Sequence, residues 1–274
     1  MLNLITPDIK IGGSGTGISY YSTASRCSRR ARLDKEYGSP SSEDSRTGTV
    51  GHALLDLFYT NKLTAALLDD PNLHIQVPEE FQEEVPEAIR LTKAYLKKFP
   101  ERDFWGEVLG TEVGFPEGGQ EDLIKAFFMV PLTARLDLVT RVDAAQSARI
   151  KERTGLDVPL GVIIVDHKFR TRRDSYVQDT YDLSAQFAAY PPLWDIHHPD
   201  EPCQGMVANS VIGNKEPAFQ HCYVRPPDAV KLTGLRNWLI GAEALAGTDF
   251  PNWTSCKDFN RTCAHYSAGR CDRT

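Results

Sequence analysis

The spacing of apolar positions changes along the chain, and the changes mark out its elements. "TVGHALLDLFYTNK" (49–62) carries apolar residues at 50, 53, 54, 57 and 58, the rhythm of a helix, with His52 near its start. "PEEFQEEVPEAIRLTKAYLKKF" (78–99) predicts a second amphipathic helix, acidic at its beginning and basic at its end as the helix dipole favours. Before these, "STASRCSRRARLDKEYG" (22–38) predicts a short basic helix capped by Ser22 or Thr23 and closed by Gly38. Residues 1–20 are Gly-rich and read as extended, and 38–48 read as a loop. From Trp105 the texture becomes that of strands: "WGEVLGTEVGF", "IKAFFMVPLTARLDLVTRV" and "GVIIVDHKF", separated by "PEGGQED" and the polar segment 144–159. A helix is expected over 181–190, stopped by Pro191 and Pro192. Two more strands, "GMVANSVIG" and "AFQHCYVRPP", lead to a helix over 227–246. Helices, a strand meander, a helix, more strands and a helix predict an α/β fold with a mixed central β-sheet flanked by helices, in a single domain over 1–274.

Composition narrows this picture. The 274 residues, 41% of them hydrophobic, suffice for one sizeable core. No apolar run is long enough to span a bilayer, and the N-terminus lacks the basic-then-apolar order of a secretory signal, so a cytoplasmic protein is expected. In a reducing compartment six cysteines point to ligation or burial before disulfides. A net charge of −6, from 31 basic and 37 acidic residues, argues against a general nucleic-acid coat but leaves room for a local basic groove.

The candidate chemistry begins where the run Val162–Val165 ends, at Asp166, His167 and Lys168. Side chains alternate along a strand, so Asp166 and Lys168 share a face and His167 points the other way. Beside one another, a carboxylate can hold a divalent cation and an ammonium can steady a developing anion, a pairing suited to phosphodiester hydrolysis. Upstream, "TARLDLVTR" sets Asp137 between Leu136 and Leu138, where an acid needs a partner or a metal. Downstream, "QFAAY" puts Gln186 and Tyr190 on one helical face. Each feature alone has an ordinary structural reading: a surface ion pair, a hydrogen-bonded helix histidine, a half-buried helix face. Their order along the chain gives them weight.

That order, from a helix His52 through Asp137 in one strand and Asp166-x-Lys168 in the next to Gln186-x-x-x-Tyr190 on the following helix, resembles the PD-(D/E)XK nuclease superfamily. Within it the pattern is similar to the RecB-like branch, which includes the CRISPR-associated iron–sulfur exonucleases and phage-type members. The likeness runs from about 19 to 271. It implies a restriction-endonuclease-like fold, with His52, Asp137, Asp166 and the backbone carbonyl of His167 binding Mg²⁺ or Mn²⁺. Lys168 would position or activate the attacking water, and Gln186 and Tyr190 would orient the site and touch the DNA backbone.

"SCKDFNRTCAHYSAGRC" contributes Cys256, Cys263 and Cys271, three clustered cysteines that suggest a metal site. The same resemblance adds Cys27 as a fourth ligand and implies a 4Fe–4S cluster, with Zn²⁺ as the alternative, that staples 1–48 to 247–274 as a subdomain. The spacing departs from the C-x2-C-x5-C of the best-known members. Cys203 and Cys222 are assigned to packing. Basic residues stand beside both candidate centres: Arg170, Arg172 and Arg173 after the catalytic strand, and Arg26, Arg29, Arg30 and Arg32 around Cys27. They would grip phosphates of DNA without regard to sequence. The expectation is thus a metal-dependent DNA exonuclease of phage or bacterial recombination, repair or DNA processing, with a recombination or helicase protein as its candidate partner and with no membrane. The alternative is an inactive DNA-binding accessory protein that keeps the metal cluster.

Overall fold

The computed structural model describes residues 2–5, 27–37, 43–70, 73–116, 133–182, 184–225, 240–241, 243–244, 257–258 and 261–262. Its centre is a five-stranded mixed sheet made of β3 (Glu107–Phe115), β4 (Ala134–Val142), β5 (Gly161–Arg170), β6 (Cys203–Ile212) and β7 (Ala218–Val224), adjacent in that order. β5 and β6 run parallel; the other pairs are antiparallel. The parallel crossover is made by the helices α5 (Val177–Asp182) and α6 (Ala185–His197). Two short peripheral pairings flank this body: β1 (Leu2–Ile5) beside β2 (Leu73–Gln76), and the hairpin of β8 (Lys257–Asp258) with β9 (Arg261–Thr262). No helix among the described residues is long and apolar enough to cross a membrane.

Both faces of the sheet are covered. Against one pack α2 (Glu43–Tyr59) and α3 (Val85–Lys98), burying Leu54, Phe58, Leu91 and Tyr95 on Ile163, Val165 and Phe169. Against the other packs α6, with Phe187, Leu193 and Trp194 over Val162, Ile164 and Ala208. β5 is therefore sandwiched, which explains its near-continuous apolar run. Its odd-numbered side chains face α2 and α3, and its even-numbered ones face α6.

Several boundaries differ from the sequence expectation. α2 begins at Glu43, inside the stretch read as a loop, and the basic helix α1 spans Ser28–Tyr37. The helix expected over 78–99 is divided: Glu79–Glu84 is a 3₁₀ segment and α3 starts at Val85, with Pro86 in its first turn where its missing N–H is harmless. The separator 144–159 contains a full helix, α4 (Ala144–Thr154). Asp143 and Gln146 exchange hydrogen bonds of 2.8 and 2.9 Å in a capping box, and Gly155 closes the helix at φ 78°. α6 does not stop at Pro191 but continues to His197. The two prolines remove amide donors, yet burial of Ala189, Leu193 and Trp194 against the sheet outweighs that loss. Most of the helix expected over 227–246 lies outside the described residues; 240–241 and 243–244 are helical.

One close approach sets how near α2 comes to the sheet. A Cβ on Gly51 would lie 2.4 Å from the buried ring of Phe169 on β5, so only glycine lets helix and strand meet at this distance. In an exposed helix, alanine in place of glycine gains about 1 kcal/mol. Here the sign reverses, because a contact this short forces the Phe169 ring, buried in the core, to shift. Gly51→Ala is expected to lower stability by about 1–3 kcal/mol in urea unfolding, and the added change Phe169→Leu to recover much of the loss.

On the far strand, burial and Lys98 push His221 down to about 4. Above about pH 6.5 it is neutral in folded and unfolded chains alike. Between there and its folded value only the unfolded chain takes up the proton, so stability falls with pH by up to about 1.4 kcal/mol per unit. Melting curves from pH 7 to 4 should show this slope, and His221→Gln should make it shallower by the share of one proton, the slope left by His167, pushed down to about 3 by burial, remaining.

Candidate active site

The β4–β5 ladder ends at the pair Leu138 and Val165. Beyond it the strands part, and a side chain takes over from the backbone: the His167 amide donates to Asp137 Oδ2 at 2.8 Å. The same carboxylate oxygen lies 3.2 Å from His52 Nδ1 on α2. Asp137 thus joins a helix and two strands through one atom. Burial alone would raise its pKa, but His52, through charge and hydrogen bond, and then Lys168 hold it well below the ordinary carboxylate range. His52 moves the opposite way, since Asp137 overcomes the depressing effect of burial. Asp137 is an anion here at any physiological pH.

A third acid completes this corner. His52, Glu112 and Asp137 each offer one ligand atom, and these atoms lie within 4.8 Å of one another. Glu112 comes from β3, where the pairs Thr111–Leu138 and Val113–Leu136 bracket it opposite Asp137. Its backbone is left-handed, with φ 48°, uncommon outside glycine and costing on the order of 1–3 kcal/mol. That twist, together with a 2.7 Å ion pair to Arg135, aims the carboxylate. Burial, and then repulsion from Asp137, raise its pKa. Glu112 was absent from the sequence expectation, although a signal was there: the strand "GTEVGF" mirrors "TARLDLVTR" in carrying one acid among apolar neighbours.

Asp166 and Lys168 share the α6 face, as alternation requires. Asp166, 1% exposed, lies with Oδ2 2.7 Å from Lys168 Nζ and accepts at Oδ1 from Gln186 Nε2 at 2.7 Å. Gln186 also donates to Tyr190 Oη at 3.0 Å and accepts from Lys168 Nζ at 3.4 Å, so the four expected residues form one connected group. Burial raises Asp166, with Asp137 adding to it. Lys168 resists burial because Asp166 and Asp137 stand beside it, and its pKa is raised; it is an ammonium. Burial, with Asp166 and Asp137 near, also raises Tyr190, which stays a neutral phenol. Asp166 is not one of the three residues whose ligand atoms cluster within 4.8 Å; the structure brings Glu112 to that trio.

His167 turns its ring into the opposite core, as expected. The ring stacks on Tyr59 at 5.7 Å and its Nδ1 lies 2.7 Å from the Asn209 amide, its register partner on β6. Burial pushes it down to about 3, so it is neutral. Tyr95 accepts from Trp105 Nε1 and bonds to Tyr59 Oη, both at 2.8 Å, giving the site a polar backing inside the core. Arg170 donates to Tyr181 Oη at 2.6 Å and pairs with Asp174 at 3.6 Å, while Arg172 and Arg173 are exposed. Cys27 is buried and its Sγ accepts from Arg30 N at 3.5 Å. Cys256, Cys263 and Cys271 lie outside the described residues.

The donor chemistry of the trio, one imidazole and two carboxylates, fits Mg²⁺ or Mn²⁺ and is too hard for a soft metal. Beside a fixed ammonium, it suits hydrolysis of a phosphodiester, and the class is that of metal-dependent nucleases. A sequence model of the PD-(D/E)XK nuclease superfamily matches residues 18–268, and the chain belongs to that superfamily. Among solved structures it is similar to an exonuclease candidate from Eubacterium rectale, at 13% identity and a TM-score of 0.45, covering 84% of this chain and 82% of that one. It is also similar to SSO0001, at 12% identity and a TM-score of 0.39, covering 96% and 90%. No curated protein matches it.

Glu112→Gln keeps the shape and removes both the ligand charge and the repulsion with Asp137. The metal-free variant should melt at the same temperature as the parent or higher. Its Mn²⁺ affinity by calorimetry should fall at least about tenfold, the lower end of what even indirect metal contacts are worth.

Proposed function

We propose that the protein is a metal-dependent DNA exonuclease that hydrolyses phosphodiester bonds, acting in phage or bacterial recombination, repair or DNA processing. The observation that carries this reading is the meeting of His52, Glu112 and Asp137 at the parting of β4 and β5, next to the Asp166–Lys168 pair. His52, Asp137 and Glu112 would hold Mg²⁺ or Mn²⁺, with Asp166 and the His167 carbonyl completing the expected set. Such an ion supplies charge for the scissile phosphate and acidity for water when bound. Lys168, already charged and fixed between Asp166 and Gln186, offsets the negative charge that grows on the phosphate oxygens. A protonated lysine positions the attacking water rather than taking its proton. Gln186 and Tyr190 hold that lysine and acid in register. Arg170 at the end of that strand, and Arg172 and Arg173 on the bend just past it, would meet the DNA backbone.

The cysteines belong to the same reading. Cys27, at the entry of α1, would join Cys256, Cys263 and Cys271 around a 4Fe–4S cluster, or Zn²⁺, that ties 1–48 to 247–274. The thiolate set suits either metal, and iron and acid-labile sulfide against zinc in anaerobically purified protein decides between them.

Lys168→Ala and Asp166→Ala should each reduce Mn²⁺-dependent digestion of end-labelled DNA by at least about 100-fold, the scale of losing one electrostatic stabiliser, with circular dichroism unchanged. Undiminished digestion in either variant would refute the site, and binding without digestion by the parent protein would favour an accessory role.

A further inference from the structure

The bend between β5 and α5 leaves the catalytic strand directly, and its backbone is firmly held. Gln220 of β7 grips Asp174 with both ends of its amide: Oε1 accepts from Asp174 N at 3.0 Å and Nε2 donates to Asp174 O at 2.7 Å. Asp174 Oδ1 accepts from Tyr176 N at 2.9 Å, and Oδ2 lies 3.6 Å from Arg170. Arg170 is itself fixed, bonded to Tyr181 Oη with its guanidinium 5.4 Å above the ring. What this scaffold presents takes no part in the core. Tyr176 is 73% exposed, the most exposed large hydrophobic side chain among the described residues. Arg172 and Arg173 are exposed with no acidic partner among the described residues.

An ordered bend that leaves an aromatic ring in water, just past two cations with no acidic partner among the described residues and at the end of the strand that carries Asp166 and Lys168, has the parts of a single-strand platform. We propose that Tyr176 stacks on the base of an unpaired nucleotide whose flanking phosphates rest on Arg172 and Arg173. This rests on the nuclease reading above and adds the substrate form. Phosphate contacts alone accept a duplex or a single strand equally, but a ring needs an open base face, which a paired and stacked base does not offer. The rigidity matters because a backbone already held in place loses little freedom when the base arrives. An acidic peptide would satisfy the arginines and leave the ring without a role.

The test is fluorescence anisotropy on the full-length protein without divalent cation, so that no strand is cut. It uses three labelled probes: an oligothymidine strand, the same strand as a blunt duplex, and an abasic strand of equal length. Tyr176→Ala buries nothing and unfolds nothing. It should weaken oligothymidine binding roughly 5- to 100-fold, the range of one lost base–aromatic stack, and change abasic and duplex binding less than about twofold. Tyr176→Phe should restore the parent affinity. Changing Arg172 and Arg173 to Ala should weaken all three probes and flatten the salt dependence by roughly 1.4 in logarithmic slope on the single strands, for two phosphates. Equal oligothymidine affinity for Tyr176→Ala and parent, or an equal loss on the abasic strand, overturns the platform. If that happens while Lys168→Ala still abolishes digestion, the platform alone falls. A parent protein that neither binds any probe nor digests DNA removes the nuclease reading with it.

Discussion

Much of the site depends on a single carboxylate oxygen. Asp137 Oδ2 receives the His167 amide and faces the His52 ring, so β4, β5 and α2 are registered to one another at the point where the sheet opens. A largely buried anion is costly unless it is paired, and this one is stabilised by a backbone donor and an imidazole. The arrangement explains why the strands can separate without leaving the His167 amide orphaned. It also explains why His52 is drawn to the anion at all: α2 brings it there only because Gly51 lets the helix lie almost on Phe169.

The acid–lysine pair forms a second unit, linked to the first through charge. Asp166 and Lys168 neutralise each other, and Gln186 bridges both while reaching Tyr190. Around one opening the fold therefore sets an anionic corner made for a cation and a cationic arm made for a phosphate. The left-handed backbone at Glu112 belongs to the first corner. It is a local cost placed where two carboxylates are forced together, as functional sites often show.

Much of this was legible in the sequence, for definite reasons. Strand alternation placed Asp166 with Lys168 and sent His167 to the other face, and helical spacing paired Gln186 with Tyr190. Those periods are local, and local geometry is what sequence patterns encode. Glu112 was not found because its role depends on a cross-strand register and a backbone twist that no period announces. α4 was overlooked although Asp143 and Gln146 spell its capping box, since its polar surface hid the one buried side chain, Ile150. Pro191 and Pro192 misled in the opposite direction: a breaker was read as final where packing on the sheet overrode it. The cysteines remain an inference from their spacing and from the family likeness, with Cys27 alone among the four within the described residues.

The pairing of His167 with Asn209, and the tyrosines and tryptophan around it, has a wider implication. The reactive corner takes its reference from the interior of the molecule, not from the loops that rim it. Insertions, deletions or exchanges in those outer segments can accumulate without disturbing the alignment of the acids. A scaffold built this way can diversify what it grasps while the cutting apparatus stays constant.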